Sequence, residues 1–524
     1  MSLHHPRRRR VMLGATLAAT ALLAACSTGD GVDVDGAGDE TGAADDGGGG
    51  ASGEVLVAGI AGEPDQLDPQ STTSYFSFQV LENVFDTLVE PDENLVMQPA
   101  LAEDWEVSDD QLTWTFTLRE GVTWHDGSDL TAEDVVYPFN RIIDENLSNS
   151  WRLSAVTGIE APDERTVVFT VSGPSPNLLA NIGGFKGMAV VQQENVESGE
   201  IGTAPVGTGP FVVDSYASGE SIDLTANPDY WGGAPDVAGV TFEFIPEPTT
   251  ALAALQSGEI HWTDNIPPQQ VASLTDGEDV ELGQVGSNDY WYLALNQERE
   301  PFDDVDVRRA ISFAIDREAI TEATMFGNAT VNQTAIPESS DWYTEYDGYT
   351  HDPEQARTLL EGAGVAEGEL TIDLMVATDY PETVQAAQII ASQLDEVGIG
   401  TEIRTLDFGT WLDEQGQGSF DMLMMGWLGN IDPDDFYYGQ HHSAGQNNYQ
   451  GYANPEVDEL LDAGRTETDQ AARKEIYDQV ATTVADEASY IYLYNPDVVQ
   501  AWSPEVSGYE VRGDRAIRFR DVSL

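Results

Sequence analysis

Leu112-Thr113-Trp114-Thr115-Phe116-Thr117-Leu118-Arg119 alternates large apolar side chains with hydroxyl ones. A period of two puts Leu112, Trp114, Phe116 and Leu118 on one face, the pattern of a half-buried strand. Val240, Phe242 and Phe244 repeat it, and residues 167–171 and 490–494 read as shorter strands. Helices with marked ends lie between them. Asp352 precedes Pro353 at a first helical position, and Gly362 and Gly364 close that segment. Residues 383–397 form a helix that stops at Gly398, and Asn454-Pro455 opens another that runs to about Arg465. Val307, Ala310, Ile311, Ala314 and Ile315 make an apolar face behind Asp304 and Asp306, acids that suit a helix N-terminus. Strand and helix signals interleave, so the chain is mixed α/β. From residue 54 to 524 it is longer than one core usually holds, which predicts two or more domains.

The N-terminal end has a different character. Arg7 to Arg10 precede an apolar run over residues 11–25, which ends in Leu23-Ala24-Ala25-Cys26. A basic start, a short apolar stretch and small residues before a break describe a secretory signal peptide over residues 1–25. The run falls short of the ~20 residues a spanning helix needs. Arg8-Arg9 ahead of Val11-Met12 also fits, loosely, a twin-arginine export signal. Cys26 is the chain's one cysteine, so no disulfide forms within it. Residues 27–53 are almost wholly Gly, Ala, Asp, Ser and Thr, too poor in apolar surface to order. Such a coil reaches ~30 Å, enough to tether a globular body to an anchor at Cys26.

Charge narrows the function classes. The chain has 22 Lys and Arg against 93 Asp and Glu. Removing residues 1–25 takes away four arginines and no acids, which leaves 18 basic residues and a net charge of about −75. Nucleic-acid binding needs basic patches and is excluded as a class. Self-repulsion on this scale destabilises a compact state in dilute buffer and is screened in concentrated salt. The composition therefore points to a protein that works at high ionic strength.

A series of motifs carries a family resemblance. Glu63-Pro64-Asp65-Gln66-Leu67-Asp68-Pro69 comes first, then Pro99-Ala100-Leu101-Ala102-Glu103-Asp104-Trp105-Glu106 and the alternating stretch above. Gly121-Val122-Thr123-Trp124-His125-Asp126-Gly127, Leu130-Thr131-Ala132-Glu133-Asp134-Val135 and Val206-Gly207-Thr208-Gly209-Pro210-Phe211 follow. Asn227-Pro228-Asp229-Tyr230-Trp231, Leu255-Gln256-Ser257-Gly258-Glu259-Ile260 and the run from Pro301 to Ala310 come next. Gly426-Trp427 and Asn454-Pro455-Glu456-Val457-Asp458 complete the order. Together they resemble the extracellular solute-binding proteins of family 5, the dipeptide, oligopeptide and nickel class of ABC importers.

The resemblance implies a two-lobed α/β fold of the periplasmic-binding-protein kind (type II, large cluster C), hinged around an inter-lobe ligand cleft. Lobe I, with an inserted subdomain, would comprise residues 54–296 and 497–524, and lobe II residues 297–496. Ligand would shift an open–closed equilibrium by its preference for the closed state. The implied partners are a peptide or small-molecule ligand and the permease and ATPase subunits of an importer. Leu23-Ala24-Ala25-Cys26 resembles a lipobox. Lipid on Cys26 would hold the protein, a monomer, at the outer face of the cytoplasmic membrane.

Candidate ligand residues follow from position and chemistry. Thr73, Ser74 and Tyr75 lie where relatives line the cleft. Trp411 and Trp427 could stack on apolar, aromatic or sugar groups, although tryptophan is more often core. Peptide-binding relatives grip the ligand ammonium with an Asp three residues after Gly-Trp. Here that position is Asn430, which supplies no countercharge. Asp432 lies two residues on and could substitute, or simply begin a turn with Pro433, Asp434 and Asp435. An Arg for the ligand carboxylate is likewise replaced, by Thr378-Asp379. A longer peptide held through its backbone therefore fits better than a strict dipeptide, and a metal chelate or oligosaccharide is the alternative. His441 and His442 sit in no recognised metal-ligand spacing, and only His441 is a candidate for the cleft.

No activated nucleophile, Gly-x-Ser-x-Gly turn or phosphate loop is present, and no cofactor is expected. The abundant carboxylates would permit a hydrolase's acid pair, but nothing singles out two of them. The expected class is a binder, not an enzyme; a surface receptor or adhesin that captures solute without transport is the other non-enzymatic reading.

Overall fold

The computed structural model describes residues 52–524 except Phe185, Lys186, Asp276, Glu278 and Asn430. The expected leader, Cys26 and most of the expected tether thus lie outside the described residues. The first strand, Ser52–Ile60, takes in the last two residues of the expected tether.

The alternating stretch is the strand Thr113–Leu118. Trp114, Phe116 and Leu118 are buried, while Thr113, Thr115 and Thr117 are partly exposed. It lies antiparallel between Ala102–Val107 and Thr166–Val171, and Val156–Asp163 completes a four-stranded sheet. Helix Ala132–Asp144 covers the sheet with Val135, Phe139 and Ile142, spaced to share one face. Its start is fixed by a capping box between Thr131 and Asp134. Phe139 meets Phe169 edge-on at 5.2 Å. Each aromatic buried here contributes roughly 2–3 kcal/mol.

The larger sheet has twelve strands. In order they are Gly400–Leu406, Thr371–Ala377, Met422–Trp427, Tyr290–Leu295, Tyr490–Trp502, Trp262–Thr263, Ser52–Ile60, Val237–Phe244, Ser221–Ala226 and Phe211–Ala217. Glu281–Gly286 and Ala329–Val331 pair with Tyr490–Trp502 off that path. This strand runs well past the 490–494 expected. Asn495-Pro496-Asp497 reads locally as a turn, yet Thr330, Ala329 and Gly286 sit opposite those three residues. Pro496 has no N–H to give, but its carbonyl accepts from Ser287 N–H at 3.1 Å and Ser287 Oγ at 2.6 Å.

The expected helices form with their caps. Asp352 accepts from the backbone of Glu354 and Gln355, Asn454 from Glu456, and Asp304 from Asp306. Helix Pro381–Glu396 begins two residues before the expected 383 because Pro381 occupies its first turn.

The described residues fall in one compact unit, and its apolar clusters sort into two groups. Three clusters draw on residues 56–282 and 499–524, and two draw on residues 290–494. Tyr490–Trp502 belongs to both: Tyr490 to Tyr494 pair with Tyr290–Leu295, and Asp497 to Trp502 with Glu281–Gly286.

Candidate ligand cleft

Side chains from five separate segments meet where the two groups of clusters adjoin. Helix Tyr75–Leu81 presents Tyr75 and Gln79, one turn apart on the same face. Tyr75 donates its hydroxyl to Asp264 Oδ2 at 3.0 Å, and Gln79 Nε2 donates to the same oxygen at 2.6 Å. Asp264 directly follows the short strand Trp262–Thr263, which docks parallel on Ser52–Ile60.

Arg515 comes from the C-terminal segment. Asn83 fixes that segment by donating Nδ2 to the carbonyl of Ile517 at 2.9 Å and accepting from Phe519 N–H at 3.0 Å. In the turn so held, Arg515 adopts φ +62°, the left-handed region that a side chain rarely occupies. Its guanidinium carbon lies 5.7 Å from the centre of the Tyr75 ring, and Nε lies 2.6 Å from Asp289 Oδ2. Asp289 Oδ1 accepts from Gly429 N–H at 3.1 Å, and the Asp289 carbonyl accepts from Asn495 Nδ2 at 2.8 Å. Asp289 therefore links Arg515 to the loop after Met422–Trp427. From the other side, Tyr380 and Glu382 stand at the start of helix Pro381–Glu396, with Tyr380 edge-on to Trp291 at 5.9 Å.

The electrostatics follow from burial and neighbours. Burial pushes the Asp264 carboxyl up to about 6, against the pull of the Tyr75 hydrogen bond and Arg515. Burial also raises the Glu382 carboxyl, again opposed by Arg515. Tyr75 is raised by burial and by the charge of Asp264. For Arg515, burial opposes the charge, but Asp289, Tyr75, Asp264 and Glu382 together hold the guanidinium protonated. One cation thus faces three acids and two phenols.

The residues expected from sequence scatter around this constellation. Tyr75 is part of it. Thr73 is exposed, and Ser74 precedes the helix without a side-chain cap bond. Trp427 is half-buried at a strand end opposite Tyr290, with its Nε1 shielded and lacking a partner. Asn430 lies outside the described residues.

The other three are engaged within the protein. Trp411 is 1% exposed and stacks on Phe408. Asp432 does begin a helix, accepting from Asp434 N–H at 3.0 Å, and both its oxygens take Arg473 at 2.6 and 2.7 Å. Its charge is matched inside the fold. His441, the histidine expected as a candidate for the cleft, ends helix Pro433–His441. It is fully buried; Nδ1 contacts Ser489 Oγ at 2.9 Å and Nε2 contacts Tyr492 Oη at 2.8 Å. Burial drives its pKa down to about 3, so the ring is neutral. Among the described residues no group of three or more His, Cys, Asp or Glu could hold a metal, and no helix is long and apolar enough to cross a membrane.

Sequence reasoning missed Gln79, Asp264, Asp289, Glu382 and Arg515. None belongs to a periodic face or a chemical motif, and their partners lie up to hundreds of residues away.

Comparison with known proteins places this architecture. Residues 96–448 match the family described as bacterial extracellular solute-binding proteins, family 5 middle. The dipeptide-binding protein of Escherichia coli (strain K12) is 28% identical over 510 residues, 90% of this chain and 95% of that relative. A probable di/tripeptide-binding protein 5 of Pseudomonas aeruginosa is 30% identical, over 84% of this chain and 89% of its own length. The solved structure of a periplasmic binding protein, DppA from Helicobacter pylori, in complex with the peptide STSA superposes with a TM-score of 0.82 at 27% identity. That match covers 90% of this chain and 98% of the other.

Proposed function

The chain belongs to the bacterial extracellular solute-binding proteins of family 5, the substrate-binding components of ABC importers, and we propose that its solute is an oligopeptide. The observation that carries this reading is the likeness, along nine-tenths of the chain, to a binding protein solved with a peptide. The constellation around Arg515 supports it by gathering charged and phenolic groups where the two sets of clusters adjoin.

In this reading residues 54–296 with 497–524 and residues 297–496 are in the main the lobes that close on the ligand, with Tyr290–Leu295 packed in the second rather than in the first. Ligand bridges Tyr75, Asp264 and Arg515 on one side and Tyr380 and Glu382 on the other. The closed form then docks on a permease. Cys26 carries a lipid, the residues from 27 up to the first strand are the tether, and the protein works as a monomer at the outer face of the membrane. It functions in concentrated salt, and dialysis into dilute buffer unfolds it; full stability there would remove the high-salt part of the reading.

The deciding experiment is mass spectrometry of small molecules released from protein purified natively in high salt. A ladder of peptides is expected. A metal chelate, a glycan or a single non-peptide metabolite would overturn the peptide assignment and leave the solute-binding class intact.

A further inference from the structure

The mature region holds 16 arginines, all described. Fifteen donate at least one guanidinium hydrogen bond within the protein, to a carboxylate, a carbonyl or another polar side chain. Arg515 alone donates none. Its Nε is shielded from solvent and, although 2.6 Å from Asp289 Oδ2, does not point its hydrogen along that line. The attraction to Asp289 is one of charge, and the guanidinium keeps its N–H donors. Its side chain is 28% exposed, so the group is reachable.

Two features show that the placement is maintained against a cost. A shielded donor without an acceptor, here Nε, is unfavourable. So is a left-handed backbone at a residue with a side chain. The Asn83 clamp on Ile517 and Phe519 holds the turn in spite of both. In a chain with 93 acids and so few cations, a guanidinium that donates no hydrogen bond within the protein, where the two groups of clusters adjoin, is a group kept for something else.

Its chemistry names the ligand. A planar guanidinium takes a carboxylate through two parallel N–H···O bonds. Asp264, Asp289 and Glu382 surround it, so an isolated anion such as phosphate meets net repulsion. A molecule whose carboxylate is accompanied by an ammonium satisfies both signs. Resting on the solute-capture reading above, we propose that Arg515 anchors the carboxylate of a zwitterionic peptide, whose ammonium faces the surrounding acids. Arg515 is then a ligand-binding residue that sets specificity for free C-termini, supplied by the C-terminal segment.

The test uses the full chain purified natively in high salt and immobilised. A tetrapeptide pool of alanine, leucine and lysine is made with free C-termini, as isotope-labelled C-terminal amides, and as N-acetylated free acids; retained peptides are read by mass spectrometry. Wild type is expected to retain free acids roughly 10–100-fold better than amides. Arg515→Gln erases that preference, and Arg515→Lys restores part of it by returning charge without the fork. N-acetylated acids are retained less well than unblocked ones. Equal retention of acids and amides by wild type, or a preference that survives in Arg515→Gln, overturns the anchor. Equal retention of acetylated and unblocked acids overturns the zwitterion.

If no peptide form is retained, the peptide reading falls, and molecules released from natively purified wild type and Arg515→Gln decide the anchor separately. Carboxylate-bearing molecules present only in wild type uphold it; molecules without a carboxylate, or the same set in both, overturn it. An unchanged thermal unfolding midpoint in Arg515→Gln shows that the loss is not one of folding.

Discussion

The two groups of clusters touch through charged residues in two places, and the places are built on opposite terms. At one, every group is matched. Arg152 reaches Asp435 at 3.2 Å with both side chains buried, Asn177 donates to Asp434 Oδ2 at 3.0 Å, and Arg465 donates to Ser154 Oγ at 3.1 Å. Behind this row Asp434 also meets Arg465 at 3.3 Å, and Asp432 takes Arg473. The acidic run that looks in sequence like a solvated turn is a set of carboxylates, each opposite its own arginine. At the other place a single guanidinium sits among three acids without one hydrogen bond. A matched contact favours one arrangement of the molecule, while an unmatched one is completed only by something from outside.

Breaking the matched side gives the largest effects. Arg473→Leu removes the partner of Asp432 inside one group of clusters and should destabilise the fold by about 3–5 kcal/mol in urea titration, with no change of shape. Arg152→Leu removes a similar partner across the contact, and there the molecule has an escape. If the two sides are lobes, opening returns Asp435 to water. The unfolding loss should then be smaller, about 1–2 kcal/mol, and small-angle scattering should show a larger radius of gyration. A loss as large as that of Arg473→Leu with no expansion would mean that the contact never separates.

A smaller effect lies in pH. Burial holds the carboxyls of Asp264 and Asp434 up to about 6, while the unfolded chain releases those protons near ~3.9. Between these values the folded state binds more protons, so stability falls as pH rises from about 4 to about 6 and is level above. Asp264→Asn should remove its share of the slope, on the order of 1 kcal/mol given its partial exposure. An unchanged slope in chemical denaturation across that range would show that the carboxyl is not held protonated.

The smallest expected change in stability is that of Arg515→Gln, about 1 kcal/mol or less, because the partly exposed ion pair with Asp289 is lost but no hydrogen bond goes with the guanidinium. A large fall in its unfolding free energy would erase the contrast between the two contacts and make Arg515 structural.

How much of this was legible in the chain depends on how far apart the deciding residues lie. The strand at Thr113–Leu118 was readable because its alternation is local and burial follows it residue by residue. So were the caps at Asp304, Asp352 and Asn454, where the side chain bonds a backbone N–H two residues on. Tyr490–Trp502 was read only in part. Its turn-like centre is overridden by strands that arrive from residues 281–286 and 329–331. Of the cleft, Tyr75 alone was anticipated, by position in the family motifs, and His441 and Asp432 looked available because their partners Ser489, Tyr492 and Arg473 are distant in sequence.

The sequence by itself determined the α/β alternation, the helix ends, the acidic character and the family, since each is written in periods, caps or motifs a few residues long. Only the tertiary structure decided which charges are matched and which are left open. Arg152 and Arg515 are alike in type and unremarkable in context. Packing sets Asp435 against the first and Asp289 against the second, but only the second also lies among further acids and donates no hydrogen bond within the protein, because partnership between ions depends on where distant segments come to rest.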